Sequence, residues 1–333
     1  MKKTTAISIA LLLVLFSFIS CGKGEKATTP KAGSATPDDM LSLLPMNAKG
    51  VFFVNVNQAM SLEAAEKAIK EHENYKELEE FIEMTGIDPL KDIYYAAIAL
   101  TGDLGKKEEK GVAVINLKYD KEKIVTLMKE KAAEEEDVEI RETEYSGLTV
   151  YAVDEEDDED ISFTFLDNSN IVAGKDADVK TVIDISQKKA DNIYKNQALS
   201  ELLAKTNKDT LFWGAILIPA GAVDEATADN PMLSNLKDLK AATMNFDYKN
   251  MNVIAEIKLI STNAEKNEQI AKMLDGLKAM GGMMATEKPE IGELLSKIEI
   301  SSSPEHVKIY ASLPQDLLDK LKESIPHEAE SEL

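Results

Sequence analysis

Cysteine is almost absent: one residue in 333, Cys21, so no internal disulfide braces this chain and its fold must rest on burial. Histidine is nearly as scarce. His72, His306 and His327 share no ligand spacing, which gives no reason to expect a metal centre or a histidine-based catalytic pair. There is no Gly-x-Ser-x-Gly elbow, no His-Glu-x-x-His pair and no P-loop; the stretch GDLGKK (102–107) has glycine and lysine but not the spacing or the Ser/Thr, and reads as a turn. Positive charge is in the minority, with 38 Lys and Arg against 60 Asp and Glu and a formal charge of −22. That balance excludes nucleic acid as a partner, because nucleic acid is bound by neutralising phosphates. Carboxylates are so abundant that a glycosidase-type acid pair cannot be singled out. No catalytic residue and no cofactor is therefore expected.

What is present begins at the N-terminus. Met1-Lys2-Lys3 is basic, and Ala6 to Ile19 is an uncharged apolar run. Fourteen residues of helix span about 21 Å, short of the ~20 residues a bilayer crossing requires. A basic start, a short apolar core and a small residue before a cut form the pattern of a secretory signal. Here Ser20 is the small residue and Cys21 follows it.

Phe18-Ile19-Ser20-Cys21 resembles the lipobox of bacterial lipoproteins, with Phe18 where Leu is usual. The resemblance implies cleavage between Ser20 and Cys21, diacylglycerol on the Cys21 sulfur, and often a further acyl chain on the new amine. The alternative is an ordinary signal peptide followed by a free cysteine. Two or three acyl chains hold far better than one, at about 0.8 kcal/mol per buried methylene. The implied location is the bacterial cell envelope, outside the cytoplasm. Gly22 stands where an Asp often retains such proteins in an inner membrane, so an outer membrane is favoured if two are present. Removing residues 1–20 takes away two lysines and no acid, leaving −24. A body this acidic is repelled by anionic lipid heads and stands off the bilayer.

The expected organisation is a signal peptide at 1–20, a lipidated cysteine and flexible linker at 21–38, a first α+β unit at 39–190 and a second at 191–333. GKGEKATTPKAGSATPD (22–38) is small, polar and punctuated by Pro and Gly, with a reach of roughly 20–25 Å. VFFVNVN (51–57), IYYAAIAL (93–100), GVAVINLKY (111–119) and LFWGAILIP (211–219) read as strands. Residues 61–85 and 121–135 have helical apolar spacing. VEIRETEYSGLTVYAV (138–153) and ISFTFLDNSNIVAG (161–174) read as hairpins, 176–188 and 314–324 as helices, and Trp213 as core.

The halves look alike. AAIAL…GVAVINLKY from Ala96 matches AATMNFDYKNMNVIAEIKL from Ala241, and EIRETEYSGLTVYAV (139–153) matches EISSSPEHVKIYASL (299–313). LFWGAILIP then corresponds to VFFVNVN. Internal duplication decides architecture, and each copy reads β-α-β-β-α-β. The expected fold is α+β: two related, elaborated ferredoxin-like units in tandem. The body as a whole, with its LLP entry and GIDPLKD segment, is similar to bacterial exported proteins of domain-of-unknown-function type. That resemblance implies no activity and no site residues.

Two stretches could carry chemistry. DEEDDED (154–160) offers Asp154, Glu156, Asp158 and Asp160 to a weakly held divalent cation, but lacks the spacing and turn glycine of an EF-hand; a solvated loop tip is the simpler reading. KMLDGLKAMGGMMA (272–285) gathers Met273, Leu277, Met280, Met283 and Met284. Methionines make adaptable apolar surfaces, so this could be the lip of an apolar groove, with Gly281-Gly282 expected to bend or end a helix; helix packing is the plainer alternative. The expected function is a lipid-anchored, non-catalytic binding or scaffolding protein of the cell envelope. It would meet the membrane through the acyl chains on Cys21 and recognise an envelope protein or an apolar ligand. The alternatives are a carrier or chaperone for an apolar molecule, which requires a continuous apolar cavity, and a carboxylate-dependent hydrolase, which requires two buried carboxyls with raised pKa.

Overall fold

Val51 and Phe53 lie on one side of their strand and Phe52 and Val54 on the other, and apolar residues on both sides mark a strand at the centre of a sheet. The computed structural model describes residues 35–71, 75–102, 111–134, 138–155, 161–224, 231–261, 263–285 and 288–324. It places this strand, β1 (Gly50–Asn55), in the middle of one twelve-stranded sheet. The others are β2 (Ile93–Leu100), β3 (Gly111–Leu117), β4 (Val138–Tyr145), β5 (Leu148–Glu155), β6 (Ile161–Phe165), β7 (Asn170–Lys175), β8 (Phe212–Leu217), β9 (Leu239–Lys249), β10 (Asn252–Ser261), β11 (Ile298–Ser302) and β12 (Val307–Pro314). Their spatial order is β11-β12-β10-β9-β8-β1-β2-β3-β7-β6-β5-β4.

Two tandem ferredoxin-like units are not what forms. In a split βαβ unit the helix-joined first and second strands run parallel with another strand between them, whereas here β1 and β2 are antiparallel neighbours and all twelve strands belong to one sheet. The strands that open the two halves, β1 and β8, pair with each other, Gly50 opposite Ile216 and Val54 opposite Phe212. The halves are thus two arms of a single sheet. Outward from that junction the first arm runs β1-β2-β3-β7-β6-β5-β4 and the second β8-β9-β10-β12-β11. In each arm a hairpin beside the junction leads into a helix and then into the outer strands.

Helices on the front face cover the first arm. They are α1 (Pro37–Leu41), α7 (Asp176–Ser186) and α8 (Gln197–Ala204). Met40, Leu41, Leu44, Val179, Val182, Ile183, Leu199 and Leu203 pack there against Val51, Phe53, Ala97, Val114, Val172 and Trp213, all fully or almost fully buried. Trp213 is core, as expected. Asn196 caps α8 through the Leu199 amide, and its Nδ2 donates to the carbonyls of Met46 and Ala48, which fixes the entry segment to the helix.

The back face is covered on both arms. Helix α2 (Val56–Met60) precedes the expected stretch 61–85, and α3 (Glu63–Glu71) and α4 (Tyr75–Thr85) lie within it. Asn55 ends β1 by capping α2, its Oδ1 accepting from the Gln58 amide, so the strand stops two residues before the expected boundary. With α5 (Pro89–Asp92) and α6 (Lys121–Glu134), they pack on Ala96, Ile115 and Leu117. On the second arm α9 (Ala264–Met284) lays Ile270, Ala271, Met273 and Leu274 on Leu239, Leu259, Ile300 and Val307, and α10 (Pro289–Ser296) and α11 (Gln315–Ser324) complete the layer. Gly281-Gly282 does not end α9, which runs on to Met284. A Cβ on Gly281 would lie 3.2 Å from the Leu295 Cδ1, so the first glycine serves close packing of α10. No helix among the described residues is long and apolar enough to cross a membrane.

Candidate functional site

The front face of the second arm is where the helix cover stops. Asn245 on β9 still donates through Nδ2 to the Asn207 carbonyl in the segment after α8. Beyond it, β10, β12 and β11 present Glu256, Lys258, Lys308, Tyr310, Glu299 and Ser301 on one side, and α9, α10 and α11 lie on the other. The pleat explains the split. On β10, Val253, Ala255, Ile257 and Leu259 face the back, while Glu256 and Lys258 alternate to the front.

A shallow cleft of about 370 Å³ opens on this face, lined by Glu256, Lys258, Ser301, Ser302, Ser303, His306 and Lys308. The β11–β12 turn forms its end wall. Asn267 of α9, fully buried, donates through Nδ2 to the carbonyls of Ser303 and Pro304 at 3.1 and 3.3 Å and accepts from the Ser261 hydroxyl at 2.8 Å. Within the turn the Ser303 hydroxyl accepts from the amides of Glu305 and His306 and donates to the His306 carbonyl. These bonds hold His306 at the cleft, its Nδ1 3.4 Å from the Ser303 Oγ.

The electrostatics are unusual for so acidic a chain. Lys258 pairs with Glu256 at 2.9 Å along its own strand. Directly opposite Lys258 across the ladder is Lys308. Its ammonium lies 5.8 Å over the Tyr310 ring. Burial, and then the Lys258 charge, push the His306 pKa below its ordinary value, so the ring is neutral at pH 7. The Lys205–Glu305 pair at 3.9 Å marks the rim and is exposed. A second cleft of about 290 Å³ is lined by Asn250, Met251, Asn252, Pro314, Gln315, Asp316 and Asp319. Both clefts are predominantly polar in lining residues, and neither is the apolar cavity a carrier requires.

The residues singled out from the sequence fall elsewhere. Met273 packs in the second arm's core and Leu277 is half-buried on α9; Met280 and Met283 are exposed, 46% and 71%. Met284 ends the helix. Met273, Leu277, Met280 and Met283 therefore follow the back-face helix, and none of them lines the front cleft. Asp154 is the penultimate residue of β5, and Glu156, Asp158 and Asp160 lie outside the described residues, as do Ser20, Cys21, His72 and His327. No group of three or more metal-ligating side chains occurs among the described residues. Among the described carboxyls, those of Asp39, Glu66 and Glu268 have shifted pKa values and all are lowered, each by a hydrogen bond to its neighbour, Thr36, Lys70 or Lys272. The Asp247 carboxylate is buried but ion-paired with Lys249.

The Lys258–Lys308 pair escaped the sequence reading. Its signal was there: Glu256-x-Lys258 and Lys308-x-Tyr310 alternate with apolar residues on two neighbouring strands, which marks one face as polar.

No curated protein matches the chain. Among solved structures it is similar to three crystal forms of TP0453. Form III has 11% identity over 86% of this chain and 98% of that one, with a TM-score of 0.48. Form I has 9% identity over 88% and 99%, with a TM-score of 0.44. Form IV has 10% identity over 85% and 96%, with a TM-score of 0.45. The likeness is to an outline and carries no residue roles. A family profile matches residues 92–332, from the start of the β2 region through the whole second arm, and the chain belongs to that family, described as Protein of unknown function (DUF3352).

Proposed function

We propose that this is a lipid-anchored envelope protein that acts by binding, with the open front face of the second arm as its docking surface. The observation that carries the reading is the one-sided cover of β10, β12 and β11. Their back is sealed by α9, α10 and α11, while their front exposes Glu299 and Ser301 beside a polar cleft. An antiparallel sheet tolerates water on one face. This one, however, has its other three quadrants covered by helices. Acyl chains on Cys21 would tether the body, and the linker would let that face reach a partner. The back-face methionines Met280 and Met283 are the surface for an apolar partner in a second, less supported reading.

Site-specific photo-cross-linking in intact cells tests the proposal. A photoreactive residue replacing Ser301 is expected to give discrete cross-linked species, and one replacing Glu293, exposed on α10, is not. Cross-links from Glu293 with none from Ser301 would refute the docking face.

A further inference from the structure

Two exposed methionines stand three residues apart on α9: Met280 at 46% and Met283 at 71%. Outward helix positions normally hold polar or charged residues, and methionine is usually buried. A long helical side chain leans over the turn N-terminal to its own Cα, onto residues i−3 and i−4. By that rule Met280 leans over Gly276 and Leu277, and Met283 over Ala279 and Met280. Gly276 has no side chain to shield a thioether, and Ala279 has little. A Cβ built on Gly276 or on Gly282 meets no described atom within 4 Å, so the flank of the helix is open beside both methionines. Met84 makes the contrast. It is exposed at 40% near the end of α4, but leans over Glu80 and Phe81. Met40 and Met60 are shut in the core, at 0% and 6%.

We infer that Met280 and Met283 form an oxidation site, at which hydrogen peroxide converts the thioethers to sulfoxides without loss of the fold. The inference is independent of the docking face on β10, β12 and β11. The step balances with peroxide alone. A sulfur lone pair attacks one peroxide oxygen, and the O–O bond breaks as the S–O bond forms. The proton left on the transferred oxygen passes to the departing hydroxide, which leaves as water. Sulfur gives up two electrons and the peroxide takes them. The oxidant is neutral, so a body of charge −22 does not repel it as it would hypochlorite. The sulfoxide is polar and chiral, and sulfoxide reductases return it to the thioether. In a core it would disrupt packing; on this flank it meets water. Oxidation therefore turns the C-terminal end of α9 from apolar to polar, while Ile270 and Leu274 keep the helix on the sheet.

The test is timed exposure of the purified protein to hydrogen peroxide. Sulfoxide at each methionine is read by peptide mass spectrometry, and the fold by thermal melting in far-ultraviolet circular dichroism. Met283 is expected to oxidise first among the described methionines, and Met280 several-fold faster than Met84, while Met40 and Met60 stay reduced. Protein oxidised at both α9 sites should melt where the reduced protein does, and a methionine sulfoxide reductase should remove both oxygens. Gly276→Leu puts a side chain where Met280 leans. Leucine is a better helix former than glycine, so this variant should melt no lower than the wild type. It should slow oxidation of Met280 several-fold and leave Met84 unchanged. Oxidation of Met40, Met60 or Met84 as fast as Met283 would overturn the inference. So would a fall in melting temperature with the α9 sulfoxides, or a Met280 rate unaltered in Gly276→Leu.

Discussion

Phe53 and Trp213 stack with ring centroids 5.3 Å apart and planes 10° from parallel, directly in register on β1 and β8. They are the seam of the molecule. Both rings are almost wholly buried, in one cluster with Met40, Leu199 and Val114. Removing the Phe53 ring leaves a cavity where the two arms join, and such truncations cost about 3–5 kcal/mol. Phe53→Ala is therefore expected to lower the urea midpoint by that equivalent. Trp213 is the only tryptophan. Its fluorescence should change in one transition that coincides with far-ultraviolet circular dichroism.

The first arm is held by a close approach of backbones. A Cβ on Gly174 of β7 would lie 2.4 Å from the Gly111 carbonyl oxygen and 2.9 Å from the Val112 Cα, both backbone atoms of β3. Neither can yield as a side chain could. Gly174→Ala should destabilise by about 3 kcal/mol, at the top of the range for overpacking. Amide exchange should speed up in β4 to β7 before it does in β9 to β12.

Acidification should weaken the turn of the second arm. The His306 pKa is depressed in the folded state by burial and Lys258. Between the ordinary histidine value of about 6.5 and the lower folded value, the unfolded chain binds more protons than the native one. Stability from this group is thus present above pH 6.5 and is lost as pH falls through the folded pKa. His306→Gln should flatten the fall in melting temperature between pH 7.5 and pH 5.5 (choices within the titration range of histidine).

If Cys21 carries the anchor, cells fed a labelled fatty acid should yield labelled protein in the membrane fraction, and Cys21→Ala should yield neither label nor membrane association. The same variant of a free-cysteine protein would lose nothing.

Much of the secondary structure was legible because alternation and caps are local. Ile93–Leu100 and Gly111–Leu117 are strands of apolar residues bounded in the sequence by charged residues, and Lys121–Glu134 is a helix of matching length. The likeness between halves was visible too, but not the partner of each strand. Alternation says which residues share a face and nothing about whether Val51 pairs with Ala215 of the other half or closes its own unit. That ambiguity produced the expectation of two separate sheets. The methionine run attracted attention by composition, whereas the charged front cleft depends on register between β10 and β12, a non-local fact.

The central claim is that the front of the second arm is open in the isolated protein and covered in the envelope. Carbodiimide labelling of carboxyls, read by mass spectrometry, tests it most directly at Glu299 on β11, with Glu293 on α10 as reference; both are exposed. In purified protein both should label. In intact envelopes Glu299 should be protected several-fold while Glu293 labels as before. Equal labelling of Glu299 in the two preparations, with Glu293 unchanged, would contradict the account.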